Sequence, residues 1–115
     1  MSNVIGIDLG TTNSEVAVFE NDKIRLIKNT KKQEITASAV AKINGEIKVG
    51  EAAKDNAILA PENTVLEIKR KMGDEEKVTM AGEEYLSQEI SARILKYLKD
   101  CAENDVGAIK EAVIT

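Results

Sequence analysis

Histidine and tryptophan are missing from this sequence and cysteine occurs once. Without imidazole there is no histidine to shuttle protons, and the commonest metal ligand is gone. A lone Cys101 gives neither a disulfide framework nor a CxxC metal site. With one Phe and two Tyr, the core has to be aliphatic. Basic residues are not in excess: 16 Lys and Arg against 20 Asp and Glu leave a net charge of −4. That balance gives no reason to expect nucleic-acid binding, which favours a basic face. No window approaches the roughly 20 apolar residues of a membrane span. The apolar N-terminal run is too short for a signal peptide and lacks the basic flank. The setting expected is reducing and cytoplasmic, with no membrane partner.

What is present fits one α/β domain: 115 residues, 43% of them apolar and 31% charged. Residues 3–9, 14–20 and 23–28 read as strands, the last two joined by a tight turn at Asn21-Asp22. Alternation puts Val4, Gly6 and Asp8 on one face of the first strand and Ile5, Ile7 and Leu9 on the other. Residues 29–36 are polar and form a crossing loop. Asn44-Gly45 between SAVAKI and EIKVG is the strongest hairpin signal. A short helix is expected over 51–60, stopped by Pro61. A second is expected over 64–71, capped by Asn63 or Thr64, with Val65, Ile68 and Met72 at helical spacing and Gly73 closing it. Another hairpin is expected around Ala81-Gly82. Ser87 is placed to cap the longest helix, to about Asn104, whose Ile90, Ile94, Leu98 and Cys101 form one apolar stripe. Cys101 therefore reads as a small core residue. No internal repeat or low-complexity tract is present. The chain stops within the β-branched run KEAVIT, which reads as a piece of a larger protein.

The chemistry concentrates in IGIDLGTTNS, residues 5–14. An aspartate, Asp8, enters an apolar strand and reads as a carboxylate buried at the strand end. Four small, hydrogen-bonding residues follow it: Gly10, Thr11, Thr12 and Asn13. Magnesium favours oxygen ligands and keeps several waters, so one carboxylate plus phosphate oxygens can hold it. Consecutive N–H groups in the turn can form an anion-binding concavity, with Gly10 admitting phosphate closely. The run is neither a P-loop, since no GxxxxGK[ST] occurs, nor a dinucleotide fingerprint, which needs GxGxxG before a helix. An ordinary hairpin turn with Asp8 capping backbone amides fits the same residues. Lys69, in EIKRKMG, reads by itself as a solvated lysine near a helix end.

IGIDLGTTNS, VGEAAK, PENTVLEIKRKMG and ISARILKYLKD with AVIT stand in that order, without a long insertion. Together they resemble the start of the nucleotide-binding domain of the heat-shock protein 70 family, most closely bacterial DnaK-type chaperones. The resemblance implies part of a two-lobed, actin-like ATPase with a ribonuclease-H-like sheet. Residues 1–37 and 111–115 would belong to the inner subdomain of lobe I, and 38–110 to an inserted outer subdomain. It implies ATP or ADP and Mg2+ as cofactors. Asp8 matches the carboxylate that holds magnesium through water, and Gly10, Thr11, Thr12 and Asn13 match the first phosphate loop. Thr11 lies near the transferred phosphate, and Lys69 matches the lysine that reaches the γ-phosphate and the attacking water. The implied catalytic set is Lys69, Thr11 and Asp8. Implied partners in an intact protein are unfolded client peptides, a J-domain co-chaperone and a nucleotide-exchange factor.

Three positions depart from the family pattern. Glu15 stands where a small or apolar residue is usual. EITAS replaces RTTPS, so Glu34 replaces a basic residue and Ala37 a proline, on the adenine side of the cleft. These departures suggest a divergent paralogue. No second phosphate loop of the DLGGGTFD kind, adenosine segment or peptide-binding domain occurs in the 115 residues, so negligible ATP hydrolysis is expected of this chain alone. Two other classes share some features. A sugar- or acetate-kinase-like phosphotransferase shares the Asp-x-Gly-Thr turn. The other is a non-catalytic interaction module, since outer subdomains of the family can contact partners and unpaired strands in a truncated sheet are prone to self-association.

Overall fold

A computed structural model describes residues 3–66 and 77–115. Its strands are β1 (Asn3–Leu9), β2 (Asn13–Glu20), β3 (Lys23–Leu26), β4 (Thr36–Ala37), β5 (Ala39–Ile43), β6 (Glu46–Val49), β7 (Thr64–Leu66), β8 (Lys77–Met80), β9 (Glu83–Leu86) and β10 (Ile109–Ile114). Its α-helices are α1 (Glu51–Leu59) and α2 (Ser87–Val106). The expected α/β class is what this mixture of sheets and helices forms.

The main sheet runs β10-β1-β2-β3, with β4 pairing the start of β2. β1 and β2 are antiparallel, whereas β10 returns parallel to β1. The return needs a crossover, and α2 lies on that route. Ile5, Ile7 and Leu9 face inward opposite Val18, Val16 and Ser14. The α2 stripe of Ile90, Ile94, Leu98 and Cys101 packs in the same core as these strand residues. Val40, Val65, Val78 and Met80 extend that core into the second sheet, β6-β5-β7, and the β8-β9 hairpin. α1 is lightly apolar and buries Ala53 with Ala37, Ala39 and Ala41, so helix and strand approach through small residues.

Three hairpins turn as expected. Asn21 and Asp22, Asn44 and Gly45, and Ala81 and Gly82 all take positive φ. Two consecutive positive φ values match the right-handed twist of paired strands. The α2 start sits one residue from expectation: Ser87 is its first helical residue, and the Glu89 carboxylate accepts the Leu86 N–H at 2.9 Å.

The second expected helix is corrected. Thr64–Leu66 is a strand, antiparallel to β5, with Val65 opposite Val40. Thr64 does not start a helix but closes the short 3-10 turn Pro61–Asn63, its N–H donating to Pro61 O and its hydroxyl to Ala60 O at 3.1 Å. Two β-branched or branched apolar side chains beside an unpaired β5 edge favour the ladder over a helix start. The remainder of that expected helix, with Ile68, Met72 and Gly73, lies outside the described residues.

Candidate functional site

Asp8 is exposed, which corrects the expectation of a buried carboxylate. Its position in the alternation puts it on the face of β1 turned away from α2, with Gly6. No side chain among the described residues donates to its carboxylate or pairs with it. Glu15 is its cross-strand partner. Both border a shallow depression of about 220 Å3, along with Gly6, Ala17, Val113 and Thr115. Thr115 closes the parallel ladder beside it: its N–H donates to Ile7 O at 2.9 Å, and its carbonyl accepts Leu9 N–H at 3.0 Å.

The turn that follows is tight. A Cβ on Gly10 would collide with the Asn13 carbonyl oxygen, so only glycine fits there. Gly10 and Thr11 are half-buried, whereas Thr12 and Asn13 are exposed. Among the described residues nothing accepts from the N–H groups of Thr11 or Thr12. Two donors in succession at a surface turn are what an anion-binding concavity needs. The Thr11 and Thr12 hydroxyls add further donors.

Behind the turn lies a buried pair of hydroxyls that sequence reasoning missed. Ser14 and Ser38 are 1% and 2% exposed, and their Oγ atoms are 2.7 Å apart. Ser38 Oγ donates to Gly10 O at 2.7 Å, and Ser38 N–H donates to Thr12 O at 2.8 Å. The segment carrying Ser38 is itself organised by Asn29, another buried polar residue. Asn29 Nδ2 donates to Thr36 Oγ1 at 2.9 Å, while its Oδ1 accepts Lys31 N–H at 2.8 Å and Gln33 N–H at 3.1 Å. The only sequence signal was a serine set in the small apolar run TASAVA. Lys54 of α1, with Thr12, Ser38 and Leu66, borders a cavity of about 180 Å3 beside the turn.

The structure thus brings Asp8, Gly10, Thr11, Thr12 and Asn13 together on one short stretch. Lys69 lies outside the described residues, so its place is not given by the fold. A larger cavity of about 410 Å3, between the 29–31 loop, β6 and α2, includes none of these residues. Among the described residues no three carboxylate or cysteine side chains cluster tightly enough to hold a metal by themselves. No described helix is long and apolar enough to cross a membrane. Chemically, the site offers the Asp8 carboxylate, with that of Glu15 across from it, and a row of small donors.

A family model described as Hsp70 protein matches residues 4–79 and 74–115, which is nearly the whole chain.

Proposed function

Since the chain belongs to the Hsp70 family, whose intact members hydrolyse ATP, we propose that it supplies the first phosphate-binding half of such an ATPase site. In this reading the chain is part of lobe I of a bacterial DnaK-type, cytoplasmic chaperone. Residues 1–37 and 111–115 form part of the inner subdomain and 38–110 the outer one. The observation that carries the reading is the Gly10–Asn13 turn, whose Thr11 and Thr12 N–H groups have no acceptor among the described residues, two positions after the exposed Asp8.

The residues fit magnesium nucleotide. Asp8 provides a hard oxygen ligand with room for a hydrated ion, and a single carboxylate suffices when waters and phosphate oxygens fill the remaining positions. When bound, magnesium neutralises phosphate charge and polarises the transferred group. The chain's own residues do the rest. Thr11 and Thr12 would donate to phosphate oxygens, Gly10 would permit close approach, and Asp8 would hold the hydrated ion. By the family resemblance, Lys69 would bring a cation to the γ-phosphate side and orient the attacking water. Phosphoryl transfer depends mainly on positioning and charge stabilisation, so this division of labour needs no histidine. In the intact protein, hydrolysis would control client-peptide binding, with a J-domain co-chaperone and an exchange factor as partners.

The test is calorimetric titration of the chain with Mg-ATP beside Asp8→Asn, repeated in the two-lobed parent. Weaker binding in the variant, in either setting, supports the assignment. Binding by the chain alone would mean that one phosphate turn acts without the opposing lobe. Parent affinity unchanged by Asp8→Asn would refute the role given to Asp8. In the parent, Lys69→Ala should preserve nucleotide binding and abolish single-turnover hydrolysis.

A further inference from the structure

Ser38 reaches the candidate phosphate turn from 28 residues away in sequence and holds it at both ends. Its hydroxyl donates to Gly10 O at 2.7 Å, and its backbone N–H donates to Thr12 O at 2.8 Å. A hydroxyl has one proton, and that of Ser38 is committed to Gly10. The 2.7 Å contact with Ser14 must therefore be donated by Ser14. The chain Ser14 → Ser38 → Gly10 uses both hydroxyl protons and is closed to solvent, since the two serines are 1% and 2% exposed.

The consequence follows from peptide geometry. All peptide bonds described are trans, and in a trans planar peptide the C=O and the next N–H point in opposite directions. Fixing Gly10 C=O towards Ser38 therefore points Thr11 N–H away from it. Fixing Thr12 C=O towards Ser38 does the same for Asn13 N–H. Both carbonyl oxygens, which would repel an anion, are occupied on the inner side of the turn. We propose that Ser38 is a positioning residue for phosphate binding: it locks the Gly10 and Thr12 carbonyls inward, so that the turn presents the Thr11 N–H outward and keeps both carbonyl oxygens away from an anion. This rests on the reading that the turn receives phosphate.

Without the Ser38 hydroxyl, Gly10 O and Ser14 Oγ lose buried partners, and the Gly10–Thr11 peptide is free to rotate its carbonyl towards the ligand. Ser38 also sits between β4 and β5, in the strand path leading from the main sheet to the second sheet. The turn geometry is therefore tied to the packing of both.

The test compares the full chain with Ser38→Ala, Ser14→Ala and Ser38→Thr. One readout is the NMR order parameters of Thr11 and Thr12 in the free chain. The other is Mg-ATP affinity, in this chain and in the two-lobed parent. Ser38→Ala keeps the backbone bond to Thr12 O and loses the one to Gly10 O, so it should lower the Thr11 order parameter from the rigid range near ~0.85 to below ~0.6 and change that of Thr12 less. The β1 and β2 core amides should stay unchanged. Its affinity should fall roughly tenfold, the scale of one well-made hydrogen bond. Ser14→Ala, which keeps the bond to Gly10, should show a smaller loss in both. Ser38→Thr, which keeps the donor, should restore them. Turn order parameters unaffected by Ser38→Ala overturn the proposal, whatever the affinity. So does a turn that loosens with no change in affinity. If Ser38→Ala does not fold, the Ser14→Ala series decides by the same criteria. Failure of the phosphate reading would look different, as parent affinity indifferent to Asp8→Asn while Ser38→Ala still loosens the turn.

Discussion

Asp8 and Glu15 face each other directly across the β1–β2 ladder and border the same depression. Opposed residues in an antiparallel pair hold their Cβ atoms about 4.5–5.5 Å apart, and like charges there destabilise the pair. Two carboxylates about 6 Å apart repel by roughly 0.7 kcal/mol in water, since the interaction scales as 332/(εr). The site is open, so the high dielectric is the right limit. Physiological salt, with a Debye length of about 8 Å, should roughly halve the repulsion. The chain therefore carries a local cost of about 0.5 kcal/mol at low salt, and magnesium at Asp8 would relieve it. Asp8→Asn and Glu15→Gln should each raise stability by about that amount. The double variant should add almost nothing to either single, because the repulsion is removed only once. With a urea m-value of about 1.5 kcal/mol/M, each single should move the unfolding midpoint by ~0.3 M, which is well resolved. The assay is a double-mutant cycle by urea unfolding at pH 7, run at about 20 mM and about 500 mM salt. Magnesium ion should raise the wild-type midpoint and leave that of Asp8→Asn in place. Additive effects of the two substitutions, or a coupling indifferent to salt, would refute the reasoning.

Two further outcomes follow from the packing of α2. Arg25 clamps Asp105 with two hydrogen bonds, at 2.7 and 3.1 Å, and binds Glu20 at 2.7 Å. The hydrogen bond from Arg25 holds the Asp105 carboxyl below its ordinary range. A carboxyl depressed in the folded state contributes stability that is present above its unfolded pKa and lost as pH falls. The stability gap between wild type and Asp105→Asn, measured by urea unfolding, should be steady near neutrality and shrink below pH ~4. A gap constant down to acid pH would show that the clamp contributes nothing through charge. Burial pushes the Cys101 thiol above its usual range, and the residue is 6% exposed. A thiol-labelling reagent should react with Cys101 at the rate of chain opening and rapidly only in denaturant. Stoichiometric labelling within seconds under native conditions would contradict its place in the core.

Local chemistry was enough to read much of this fold. Asn21-Asp22, Asn44-Gly45 and Ala81-Gly82 each announce a two-residue turn, and each adopts the positive φ values that such turns need. The α2 stripe was legible because one face of a 20-residue helix is buried in one continuous core, so the period is imposed over many turns. Residues 64–66 failed for the opposite reason. Three residues carry no period of their own, and their state was decided by β5, whose Ala39 pairs with Leu66 across a gap in sequence. Propensity cannot show a partner that distant. Asp8 failed on burial but not on facing. Alternation correctly placed it with Gly6, yet which face α2 would cover depends on a helix that begins almost eighty residues later.

The same distinction explains why the turn was legible and its support was not. Gly10 advertises a close approach, and the Asn13 carbonyl duly occupies the space where a Cβ would sit. Ser38 advertises nothing, because a serine among alanines is compatible with any half-buried strand. Its importance comes from β4 pairing with β2, which brings Thr36 opposite Ser14 and lays the following serine against the turn. Once that pairing forms, burial leaves the two hydroxyls few alternatives: an unpartnered buried hydroxyl costs about 1–3 kcal/mol, so each must find an acceptor. Ser38 finds the carbonyl of Gly10. The outward N–H groups of the turn, which the proposed function assigns to phosphate, are thus a by-product of satisfying polar atoms on its inside. A substitution that leaves every outward residue in place, such as Ser38→Ala, should damage the site as surely as one that removes an outward donor.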